Sequence, residues 1–152
     1  MPRCPDPFWG WGLLNTEFAA QTITAAQTNE AILEERTLNN GDDYSFTVNV
    51  SGTEKLMATI CWTDRAGTSQ NGVLNSPTPK LISDIDLRIT DSDNNEYLPW
   101  KLDLSNLPAA VKGDNIVDNI ERVEIEVPTA GQYTITISHK GLLAGPTPGS
   151  VG

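Results

Sequence analysis

The stretch Ser83-Asp84-Ile85-Asp86-Leu87-Arg88-Ile89-Thr90 restricts the possible folds more than any other part of the chain. Ile85, Leu87 and Ile89 share one parity, and Asp86, Arg88 and Thr90 share the other. This is the period-2 pattern of a strand with one face on a core and one in water. The turn Asp91-Ser92-Asp93-Asn94-Asn95 and the aromatic run Glu96 to Trp100 follow, so the region reads as a hairpin. Asp84 and Asp86 point to the same face of that strand. Like charges so close repel unless a cation or hydrogen-bond donors lie between them.

The same alternation recurs along the chain. Tyr44, Phe46, Val48 and Val50 alternate with Ser45, Thr47 and Asn49. Val123, Ile125 and Val127 alternate with Arg122, Glu124 and Glu126, and Tyr133, Ile135 and Ile137 with Thr134, Thr136 and Ser138. Leu56 to Trp62 is apolar at both parities and predicts a central, doubly covered strand. Ile32 to Leu38 predicts a weaker one. About seven short strands separated by polar turns imply an all-β fold, an antiparallel β-sandwich. Two long polar connections, Thr63 to Leu81 and Leu102 to Asp118, interrupt the pattern.

The N-terminal part differs. Residues 1–8 carry three prolines, and Thr16 to Ala26, rich in Ala and Gln, predicts a short helix capped by Asn15 or Thr16. That helix has too little apolar surface to stand alone and should dock on something. The expected division is a leader and helix over 1–28, a sandwich over 29–141 and a disordered tail over 142–152.

The 152 residues suffice for one domain with its own core. Twenty acidic against ten basic residues give a net charge of −10, which argues against nucleic acid and anionic membrane as partners. No apolar run approaches the length of a membrane span, and Met1 to Pro5 lacks the apolar segment of a signal peptide. Cys4 and Cys61, the only cysteines, allow a disulfide but cannot form a zinc site with one histidine. Cys61 is expected to be a buried thiol.

Gly10-Trp11-Gly12-Leu13-Leu14-Asn15 resembles the end of a subtilisin-like serine protease catalytic domain, where such a segment leads into the last helix. The β-region resembles the jelly-roll domain that follows it in a calcium-dependent branch of these enzymes. The matching pieces are Cys61-Trp62-Thr63-Asp64, Ser83 to Leu87, Asp118-Asn119-Ile120-Glu121 and Pro128 to Thr134. The resemblance implies a non-catalytic C-terminal domain that packs on and stabilises the catalytic domain of a secreted endopeptidase, with calcium as a cofactor. The catalytic Asp, His and Ser of such an enzyme would lie before Trp9. Family members close the jelly roll with one more apolar strand after the Lys140-Gly141 position, where Gly and Pro stand here. An open sheet edge and a weak homodimer are therefore expected.

Calcium takes six to eight oxygen ligands, and carboxylates from separate loops can supply them. Asp84, Asp86, Asp114 and Asp118 are the candidate metal ligands; the competing role is bonding to turn N–H groups. Gly67-Thr68-Ser69 mimics a nucleophile triplet, but the only histidine, His139, is in phase with Ile135 and Ile137 and reads as an edge residue. Asp91-x-Asp93-x-Asn95 reads as a hairpin turn because Glu96 stands where a calcium loop needs glycine. Trp62 and Trp100 suit either core filling or sugar stacking, which keeps a stand-alone carbohydrate-binding jelly roll as the competing function.

Overall fold

Where alternating side chains find a neighbouring strand, the chain forms antiparallel sheets; the only α-helix among the described residues is short. The computed structural model describes residues 5–70, 72, 73, 76 and 78–144. It divides the chain into two units, Met1–Leu38 with Leu102–Ala110, and Asn39–Lys101 with Val111–Gly152. The first division falls later than the boundary expected near Thr28-Asn29. Residues 145–152 of the expected tail, and Cys4, lie outside the described residues.

In the first unit, helix α1 spans Thr16–Gln27. Asn15 Oδ1 accepts the Phe18 N–H at 2.9 Å, and Glu17 sits in the positive first turn. Upstream, one Asp6 oxygen accepts the N–H groups of Phe8 and Trp9, holding a tight turn that closes at Gly10. The strand expected over Ile32 to Leu38 does not form. Its adjacent Ile32 and Leu33 stay exposed, at 54% and 62%, and no strand among the described residues pairs with it. Without a neighbouring strand the backbone of this segment would be unsatisfied as a strand, so it remains irregular.

In the second unit, β1 (Tyr44–Val50), β2 (Leu56–Cys61), β3 (Asp84–Asp91) and β4 (Glu96–Tyr97) come first. After them come β5 (Trp100–Lys101), β6 (Val111–Lys112), β7 (Ile120–Ile125) and β8 (Gly131–Lys140). One sheet has the order β1-β8-β3-β4; β2 pairs with β7, and β5 with β6. Register places Phe46, Ile135 and Ile89 in one inward row and Tyr44, Ile137 and Leu87 in the next. Leu87, Ile89, Tyr133 and Ile135 from the four-stranded sheet meet Val123 and Ile125 from the β2–β7 pair in a buried core. Each such side chain contributes about 1.5–3 kcal/mol by burial.

β2 is not the central strand its composition suggested. It bonds only β7, its side chains are half-buried or exposed, and the Cys61 thiol is free and exposed rather than buried. The run expected from Glu96 to Trp100 breaks at Leu98-Pro99, since proline cannot donate to a ladder. Beyond β7, Val127 is 85% exposed although its parity is inward, because the strand ends at Ile125.

Candidate functional site

Four carboxylates and two cations converge where β3 begins and β8 ends. Antiparallel register sets Asp84 opposite Lys140 and Asp86 opposite Ser138, so the lysine overhangs both carboxylates. Lys140 Nζ lies 2.9 Å from Asp86 Oδ1, 3.6 Å from Asp84 Oδ2, and 2.7 and 2.8 Å from the two oxygens of Asp114. Arg88, two residues along the same face, donates through Nη2 to Asp86 at 2.7 Å and to Asp114 at 2.5 Å. Asp86 is thus buried to 5% exposure although its parity was expected to face water. The ion pairs replace its lost hydration.

Glu121 completes the cluster from the other sheet. It pairs with Ile60 across β2–β7 and points inward, with no exposed surface. Its Oε2 accepts the Leu87 N–H at 2.6 Å and lies 3.6 Å from Arg88 Nη1. Sequence reading missed it, although it shares the parity of Val123 and Ile125; a carboxylate in phase with an inward row is the signal that finds it. Burial pushes its carboxyl up to about 7, against the pull of the Leu87 N–H and Arg88. Burial also raises Asp84, while Lys140 draws it the other way. For Asp114, burial is outweighed by hydrogen bonds with Lys140, Asp86 and Arg88, which bring it down to about 2. Glu121 Oε1 and Asp84 Oδ1 are buried without a hydrogen-bond partner.

Of the four candidate metal ligands, Asp84, Asp86 and Asp114 come together and Asp118 does not. Asp118 sits in the preceding turn, where Asn115 Nδ2 donates to its Oδ2 at 3.2 Å and its own N–H returns to Asn115 Oδ1. The oxygens that do converge are already engaged by an ammonium and a guanidinium. Among the described residues no group of three or more His, Cys, Asp and Glu is arranged to hold a metal. Calcium would need the same lone pairs that Lys140 and Arg88 engage here.

The other singled-out residues are internally satisfied. His139 Nε2 accepts the Gly41 N–H at 2.8 Å and Nδ1 meets the Gly141 carbonyl at 2.9 Å, which fits the edge role expected of it. Asp91 accepts the N–H groups of Asp93 and Asn95, the Asn95 amide and the Tyr97 hydroxyl, making the hairpin turn expected there. Trp62 Nε1 donates to the Ser83 carbonyl and Trp100 Nε1 to Glu124, while Lys112 lies 3.8 Å over the Trp100 ring. Both tryptophans are half-buried, and no aromatic residue described in the second unit is exposed. Asp64 accepts the N–H groups of Ile82 and Ser83, closing the neck of the long connection between β2 and β3.

The cluster can therefore neutralise charge and lock strands. A scan against protein-family models finds no match for this chain, and a search of curated proteins finds none either.

Proposed function

We propose that this chain is a non-catalytic β-sandwich module of jelly-roll type belonging to a secreted subtilisin-like serine endopeptidase. Residues 1–28 are the end of that enzyme's catalytic domain, and the β-sandwich over 29–141 stabilises that domain by packing against it. The observation that carries this reading is the exposure of nearly every large apolar side chain around the Gly-Trp-Gly segment and α1. Phe8 is 76% exposed, Trp9 74%, Leu13 97%, Leu14 82%, and Phe18 and Ile23 each 53%. Apolar surface of that density belongs against another body of protein. It accompanies a helix with good caps and no buried residue. Ion pairs that fasten β3 to β8 and Asp114, and a histidine already bonded on both nitrogens, fit a scaffold rather than a catalyst.

The test is the reading frame upstream of the Met1 codon. An open frame encoding Asp, His and Ser in subtilisin-like motifs is expected; a frame without them would remove the parentage.

A further inference from the structure

The sandwich is unfinished on one side. In the four-stranded sheet β1 is the end strand, and among the described residues nothing pairs with it on the side away from β8. Its inward residues Phe46, Val48 and Val50 are only partly buried, whereas Ile89, Tyr133 and Ile135 further into the sheet are fully so. Edge strands are normally protected by charge, proline or a bulge. β1 has none of these: Tyr-Ser-Phe-Thr-Val-Asn-Val is uncharged in a chain of net charge −10.

We propose that β1 is a self-association edge, pairing antiparallel with β1 of a second copy about a two-fold axis through Thr47. In a sheet, directly opposed residues must point to the same face. The register that uses all seven residues of β1 meets this condition, because Thr47 opposes Thr47, Phe46 opposes Val48 and Tyr44 opposes Val50. The inward row then continues across the axis and the outward row is Ser45, Thr47 and Asn49. Outside the strand, Asp42 and Asp43 would face Gly52 and Ser51, and Glu54 would face Asn40, so no like charges are opposed. β2 is also an end strand, but its six residues cannot pair with themselves over their full length without setting inward residues against outward ones. The self-complementarity belongs to β1.

One strand pair buries less than the roughly 1,600 Å² of a standard stable interface, so the dimer should be weak, with a Kd of about 10 μM to 1 mM. Sedimentation equilibrium of the intact chain across that range should show a monomer–dimer equilibrium. Thr47→Lys sets two lysines directly opposite and should weaken the dimer about tenfold. Asn49→Lys faces Ser45 of the second copy and should leave it nearly unchanged. An equimolar mixture of Thr47→Lys and Thr47→Glu should restore association. Thr47 is exposed, and melting curves will show that the variants fold. If they do not, a Thr47→Cys variant, with Cys4 and Cys61 changed to serine, should cross-link across the axis on oxidation. A chain that stays monomeric throughout, a dimer indifferent to Thr47→Lys, or a Thr47→Cys variant that fails to cross-link would overturn the proposal.

Discussion

Glu121 carries an uncompensated cost of burial. It is fully buried, one oxygen has no partner, and the backbone N–H it accepts comes from Leu87 in the facing sheet. That N–H lies on the side of β3 where β4 has already ended, since β4 pairs only with Ile89 and Thr90. The carboxylate thus stands in for a missing strand. Its raised value fixes a pH dependence. Between the ordinary 4.5 and the shifted value of about 7 the folded chain holds a proton that the unfolded chain has released. Stability from this group is complete below pH 4.5 and lost as pH rises through about 7. Glu121→Gln keeps an acceptor for Leu87 and removes the ionisation. We expect it to flatten the fall in melting temperature over that range and to stabilise the protein by about 1–3 kcal/mol at pH 8. Thermal melts at pH 5 and pH 8 check it; an unchanged slope would show that Glu121 does not ionise there.

At the scale of elements, β3 and β8 are fastened at one end by Lys140, which touches Asp84, Asp86 and Asp114 together. Lys140→Met would leave four carboxylates, Asp84, Asp86, Asp114 and Glu121, with one arginine. A half-exposed lysine moderates the loss, so about 2 kcal/mol is expected. The same change frees oxygens for a divalent ion. Millimolar calcium should raise the melting temperature of the variant and leave the wild type unmoved, whereas a chelator-sensitive wild type would mean that calcium displaces Lys140. The strands themselves were legible because alternation in Tyr44–Val50, Asp84–Asp91 and Gly131–Lys140 needed only a neighbour. Composition misled at β2, where apolar residues at both parities suggested double cover but the strand lies at an edge. It misled again at Ile32 to Leu38, which joins no strand pair among the described residues. The two-residue strands β5 and β6 were too short to show a period. At the site, the carboxylates were visible in the sequence. Arg88 was visible beside them, two residues from Asp86 at the same parity, but Lys140 was not, because register across β3 and β8 sets it over residues more than fifty positions away.

At the scale of the whole molecule, the two units differ in kind. The second has a buried core and internally paired charges, which is what a scaffold requires. The first presents Trp9, Leu13, Leu14 and Phe18 to solvent around a helix with no buried residue. Its surface makes physical sense as one side of a larger interface. Joining the chain to the segment encoded immediately upstream and comparing backbone hydrogen exchange over Trp9 to Ile23 tests this most directly. We expect exchange there to slow by at least about tenfold in the joined protein, with Trp9 fluorescence shifted to the blue, as open helix termini become cooperative structure. Unchanged exchange and fluorescence would contradict the reading of this segment as part of a catalytic domain.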